Sequence, residues 1–188
     1  CSRLPFQHVA KVHCDSDSHT SIALLQIILK NKFNISPEIV PTDIRSMKQC
    51  SSDWPDTVLI IGDKVVASDC QSEYGFTLEL GEAWKKQTGL PFVFAMWQGR
   101  LDCPTSDVKT LSVLLQRQLL YNLHRIEQVV SSHAQSRGWE PSLALQYVTE
   151  HMNYQFTDAH EESLELFYAL AKSDGIIDKA IPIHLLSS

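Results

Sequence analysis

The chain lacks several features that would assign it quickly. No window approaches the roughly 20 apolar residues of a membrane-spanning helix, and no secretory signal pattern is visible. No Lys/Arg run appears in a chain with 16 basic and 22 acidic residues, net charge −6. That balance argues against a nucleic-acid surface, which needs clustered basic residues. Any anionic ligand would have to be held by local dipoles and donors, not by the overall field. No C-x-x-C and no H-E-x-x-H occur, and the eight histidines form no paired zinc pattern. His13-Cys14-Asp15-Ser16-Asp17-Ser18-His19 has no second ligand cluster, and neighbouring strand residues point to opposite faces, so neither a metal nor a cofactor is expected. The cysteines stand at 1, 14, 50, 70 and 103, an odd number at wide spacing. This fits a reduced, cytoplasmic setting. No internal repeat or low-complexity stretch is present.

What remains is 188 residues, 44% hydrophobic and 20% charged, an ordinary globular composition. It is enough for one sizeable core or two small lobes. The chain begins with Cys1 and not Met, which suggests processing or truncation.

Patterning predicts an α/β class. His8 to His13 reads as a strand, and His19 to Lys32 as a helix. Ile22, Leu25, Ile28 and Leu29 form its stripe, and Leu24 and Ile27 widen it, as in a helix packed on a sheet. Asn31 to Ser36 turns the chain into a short strand, Glu38–Pro41. Strand, helix and strand make a βαβ unit, whose crossover is right-handed. Asp43 to Trp54 is polar and partly helical. Thr57-Val58-Leu59-Ile60-Ile61-Gly62-Asp63 reads as a strand covered on both faces, ending in a turn dipeptide. Lys64 to Ala67 reads as a helical turn and Tyr74 to Glu79 as a short extended piece. Gly81 to Thr88 is a helix stopped by Gly89. Pro91 to Trp97 reads as another buried strand. From Pro104 the pattern is helical: Leu111, Leu115, Leu119, Leu123, Ile126 and Val130 predict one helix to about Arg137, roughly 45 Å long, able to link two lobes. Gly138-Trp139-Glu140-Pro141 breaks it. A helix follows from Ser142 to about Met152. Asp158-x-x-Glu161 reads as a capping box for a last helix carrying Leu164, Phe167 and Leu170, and the tail after Gly175 is weakly specified. The expected division is an α/β lobe over 1–97 and a helical part over 98–188.

The chemistry-bearing stretch is Asp15-Ser16-Asp17-Ser18-His19-Thr20-Ser21. A strand enters this polar loop, and the loop opens onto the first helix. The first turn of a helix has unpartnered N–H groups and a positive dipole end. Ser16, Ser18, Thr20 and Ser21 add hydroxyl donors, a pattern suited to a carboxylate or phosphate. The same residues also suit a plain helix cap. Gly62 and Asp63 close the middle strand at its carboxyl end, where open α/β sheets bind ligands; a simple turn explains them equally. Trp97 and Phe92 are candidates for stacking on a ligand ring or for core packing, and Trp84 for packing.

Several of these segments resemble one family. Asp15 to Ser21 looks like the D-[ST]-x-S-x-T-S block of the menaquinone-biosynthesis chorismate dehydratases, and Leu59-Ile60-Ile61-Gly62-Asp63 like their L-L-I-G-D strand. Leu80 to Trp97 is similar to their long L-G-E-x-W-x-x-x-T-G-L-P-F-V-F-A-x-W block, the most specific of the matches. Asn153-Tyr154 and Glu165-Leu166-Phe167 resemble C-terminal pieces. The resemblance implies a type II periplasmic-binding-protein-like lobe with a mixed sheet plus C-terminal helices. It implies dehydration of chorismate, a small dicarboxylate, to 3-[(1-carboxyvinyl)oxy]benzoate on the futalosine route. It implies substrate binding by Ser18, His19, Thr20, Ser21, Gly62 and Asp63, with Asp63 or His19 as candidates for proton transfer. The family usually carries Arg where His19 stands. It also begins with a segment of roughly 80–90 residues (against a domain norm of 100–150) that has no counterpart here, so an incomplete sheet and self-association are expected. The alternatives are a 1,4-dihydroxy-6-naphthoate synthase-like enzyme, whose His-Glu-Gly block is replaced here by Gly62-Asp63-Lys64, a non-catalytic solute-binding module, or an inert fragment.

Overall fold

The computed structural model describes residues 1–15, 18–44, 54–62, 74–180 and 182–185. The chain divides into two compact units, one of Cys1–Phe94 with Phe156–Ile183, the other of Ala95–Gln155 with His184–Ser188.

The first unit is α/β. Strands β1 (Lys11–Cys14), β2 (Glu38–Pro41) and β3 (Val58–Leu59) form a parallel sheet in the order β2-β1-β3. Lys11 pairs with Glu38 and Cys14 with Pro41 on one side; His13 pairs with Val58 and Cys14 with Leu59 on the other. Among the described residues the antiparallel pairings are isolated bridges, from Ser2 to Thr57 and Phe76. The expected first strand starts later than His8, because Phe6–His8 is a turn of 3-10 helix after Pro5.

Helix α1 (His19–Phe33) covers one face of the sheet. Its Leu24, Ile27 and Ile28 are fully buried, in one cluster with Val12, Cys14 and Leu59. The period-two alternation of β1 sends Val12 and Cys14 to this side. The opposite face carries Val58, packed with Ile44, Trp54 and Tyr74. Of the strand expected over Thr57 to Asp63, Val58 and Leu59 alone form the ladder among the described residues and are covered on opposite faces, while Ile60 and Ile61 leave it half-buried. Asn34 ends α1 in the left-handed conformation, φ 56°, with its N–H on Lys30 O at 3.0 Å. Short polar Asn tolerates that conformation.

Helix α2 (Leu80–Thr88) starts at Glu79, whose carboxylate accepts from the N–H groups of Gly81 and Glu82, and stops at Gly89, φ 78°. Trp84 is completely buried and donates from Nε1 to Ser163 Oγ at 2.9 Å. Its ring meets Phe92 and Phe167 edge-on at 5.5 and 6.2 Å. Ser163 and Phe167 lie on α6 (Asp158–Ser173), the last helix. Its start differs from expectation by one residue: Thr157 is the cap, and its N–H donates to His160 Nδ1 at 3.2 Å.

The segment Pro91–Trp97 is not a buried strand. None of it joins a ladder among the described residues, Phe94 is 53% exposed and Trp97 is 83% exposed. An apolar run becomes a strand only where a neighbour takes its backbone hydrogen bonds. Phe92 instead serves as a side-chain wedge between Trp84, Phe94 and Phe167.

The second unit is helical. The single helix expected from Pro104 to Arg137 is two: α3 (Thr105–Leu123) and α4 (Ile126–His133), followed by a 3-10 turn. Arg125, at φ −132° and ψ 35°, leaves the helical region between them. No Gly or Pro marks the break. It frees Val130 and Ala134 to pack against Ala144 of α5 (Pro141–Gln146). A π-helical turn, Tyr147–His151, replaces the last part of the helix expected to reach Met152.

Candidate functional site

All three strands run the same way, so their carboxyl ends share one edge of the sheet. The order β2-β1-β3 puts β1 at the centre, with the chain leaving it toward β2 and returning on its other side as β3. That reversal is a topological switch point, the place where open α/β sheets leave a crevice at the strand ends. The loop from β1 to α1 opens there.

Ser18 caps α1. Its hydroxyl oxygen accepts from the Ser21 N–H at 3.2 Å and its proton goes to Ser21 Oγ at 2.8 Å. The Ser18 hydroxyl is therefore committed, while Ser21 Oγ keeps its own proton for another acceptor. Ser21 is buried, Thr20 half-buried and His19 exposed. The cap expectation is thus met by Ser18, and Thr20 and Ser21 stand in the first turn of the same helix. His19 lies on the solvent side of that turn. Ser16 and Asp17 fall outside the described residues.

Gly62 turns the chain after β3 at φ 66°, and nothing lies within 4 Å of where a Cβ would stand. It shares the sheet edge with Ser18 to Ser21. Asp63 and Lys64 to Ala67 lie outside the described residues, as does most of Asp43 to Trp54. Trp97 is on the second unit and exposed, and Phe92 is packing.

Sequence reasoning passed over His13 and Thr42. Thr42 follows β2, and its N–H donates to Cys14 O at 2.9 Å. Its hydroxyl donates to Val40 O at 3.1 Å and lies 2.9 Å from His13 Nδ1. A hydroxyl has one proton, so with it on Val40 the bond to His13 runs from Nδ1–H, leaving Nε2 as the free acceptor. Thr42 thus ties the exit of β2 to the last residues of β1, immediately before the Asp15–Ser21 loop. Asp15 itself is buried, 4% exposed. The available signal was register: a Thr one residue beyond the paired end of β2 reaches the last pleats of β1.

Cys14, completely buried beside this loop, has its thiol pushed up to about 12 by burial. It is a packing residue, since the thiolate is the nucleophilic form. Among the described residues no group of three or more His, Cys, Asp or Glu could hold a metal ion. No helix among them is long and apolar enough to cross a membrane.

The described part of the site therefore places Thr20 and Ser21 at a helix start on the carboxyl edge of the parallel sheet. The chain is 27% identical over 175 residues to the chorismate dehydratase of Thermus thermophilus, a match covering 85% of this chain and 62% of that protein. The chain thus spans less than two thirds of the length of that relative. Residues 1–173 match the family described as menaquinone biosynthesis. On that match over most of its length, the chain belongs to the menaquinone biosynthesis family.

Proposed function

We propose that the chain carries substrate-binding machinery of a chorismate dehydratase, a carbon–oxygen lyase that converts chorismate to 3-[(1-carboxyvinyl)oxy]benzoate. The family and the chorismate dehydratase relative support this reading. The observation that carries it is the donor nest of Thr20 and Ser21 at the switch point of the β2-β1-β3 sheet. The first unit would be one lobe of a two-lobed, periplasmic-binding-protein-like cleft.

The reaction removes a ring proton and the allylic hydroxyl as water, and the ring becomes aromatic. Aromatisation drives it, so the protein's task is to hold a dianion in a reactive pose and exclude water. In this reading the helix start and the Thr20 and Ser21 hydroxyls bind one carboxylate. Ser18 holds the helix start in shape. Gly62 gives the ligand close access to the backbone at the neighbouring strand end. Asp63 and His19 are the candidates for proton transfer; His19, where the family usually has Arg, offers a ring N–H as a hydrogen-bond donor.

Turnover of chorismate, followed by ultraviolet absorbance and mass detection of the enolpyruvyl benzoate, tests the reaction. Titration of chorismate with Thr20→Ala and Ser21→Ala tests the nest: each loss of a hydrogen bond to a charged group is expected to weaken binding by about tenfold or more. Unchanged affinity in both variants would remove the nest from the reading. Binding without turnover would favour a solute-binding module on the same fold.

A further inference from the structure

Helix α3 reads alike in both directions. About Arg117 the sequence runs Val113-Leu114-Leu115-Gln116 on one side and Gln118-Leu119-Leu120-Tyr121 on the other. The match continues outward, with Ser112 against Asn122 and Leu111 against Leu123. Like chemistry therefore stands at equal distances from Arg117 up to the end of the helix at Leu123. Leu115 and Leu119 are half-buried. Val113, Leu114, Arg117, Leu120 and Tyr121 follow the spacing i, i+1, i+4, i+7, i+8 and share the opposite side. Exposure is symmetric as well: Val113 and Tyr121 are each 55% exposed, and Leu114 and Leu120 each 53%. None of the 19 residues of α3 is buried, although helices in proteins owe most of their stability to the packing of such a face.

The reversal symmetry selects the occupant of this side. Two identical helices packed antiparallel about a two-fold axis make an isologous contact, in which residue i meets j and j meets i. The pair needs apolar residues at equal distances on either side of its axis. With the axis at Arg117, Leu114 meets the second copy's Leu120, and Val113 meets the second copy's Tyr121. A partner of another sequence would ask no such symmetry of α3. Two Arg117 guanidinium groups come together at the axis and repel, while their long stems cover the seam and carry the charges to its rim. Arg125, the mirror position of Lys109, lies past the end of α3 and stacks over the Tyr121 ring at 4.3 Å. With the Arg117 stem and Thr110 beside the four apolar side chains, a pair would bury on the order of 1,000 Å² in total. That is the low end of specific interfaces, suited to a reversible dimer.

We propose that this side of α3 is a contact between two copies of the chain, packed antiparallel about a two-fold axis at Arg117.

Sedimentation velocity of the full chain across concentrations tests it, with reductant present to keep the exposed Cys103 from cross-linking copies. A monomer–dimer equilibrium with Kd of about 100 μM is expected. Leu120→Gln alters two symmetric contacts at an exposed position and should weaken the dimer by about tenfold or more. Arg117→Glu alone keeps like charges on the axis. Mixed with the parent chain, it sets Glu against Arg, and the mixture should associate about tenfold more tightly than either chain alone. Should Leu120→Gln not fold, the mixture decides. A chain that stays monomeric, assembly that continues past the dimer, undiminished association in a folded Leu120→Gln, or a mixture no tighter than its parts would overturn the proposal.

Discussion

Helices α1 and α3 are both rich in aliphatic residues, yet they live differently. Of the 15 residues of α1, seven are buried. Of the 19 residues of α3, none is buried, and Leu111, Leu114 and Tyr121 are each more than half exposed. Apolar content is therefore not what separates them. The wide stripe of α1 lies on a sheet whose Val12, Cys14 and Leu59 fill it from below. Within its own unit α3 has no such floor; the small cluster there is Val130, Ala134 and Ala144, contributed by α4 and α5. A helix keeps a face dry only when another layer presents a matching surface.

Three measurements sharpen or break this contrast. The largest effect is expected where the first unit is densest. Trp84→Ala removes a completely buried indole, its bond to Ser163 and two aromatic contacts. Denaturant melts should show a loss of about 3–5 kcal/mol; a loss below about 1 kcal/mol would mean the first unit is packed no better than the second.

Next comes alkaline pH. The Cys14 thiol stays protonated in the fold up to about 12, whereas its ordinary value is 9.0. Between those values the unfolded chain releases this proton and the folded chain keeps it, so stability falls as pH rises. The slope is about 1.4 kcal/mol per pH unit, present above pH 9 and absent below it. Melts of the chain and of Cys14→Ala across that window should diverge in slope; parallel curves would show that water reaches the thiol.

The smallest effect belongs to α3. Leu114→Gln places a polar group at a position 53% exposed. It should change stability by no more than about 0.5 kcal/mol. A loss above about 1 kcal/mol would place α3 in the same class as α1 and dissolve the contrast.

The sequence made α1, its Ser18 cap, the β2 turn and the Gly89 stop legible, because each rests on local chemistry: periodicity, hydroxyl caps and left-handed residues. It misled wherever a partner decides. Pro91–Trp97 has the composition of a strand but no ladder to join, and Phe92 is spent on the Trp84 cluster. The break at Arg125 carries no Gly or Pro, because the gain lies in turning Val130 toward Ala144. The cap of α6 moved from Asp158 to Thr157 because His160, an unusual partner for a cap, accepts from the Thr157 N–H. At the candidate site the hydroxyls were legible. Their division of labour was not, since only geometry shows that Ser18 spends its proton on Ser21. The His13–Thr42 tie was invisible for the same reason: it joins residues that become neighbours only through strand register.

The parallel sheet also has a consequence in time. Lys11 reaches Glu38 across α1 alone, whereas His13 reaches Val58 only after the whole stretch beyond β2 has been gathered in. Closing the longer loop costs more chain entropy before any contact offsets it. The β1–α1–β2 unit is therefore expected to assemble ahead of β3 along the folding route. The donor nest at Ser18 to Ser21 would then be shaped early, by its own crossover, and the Gly62 side of the crevice would arrive last, as the step that completes the edge.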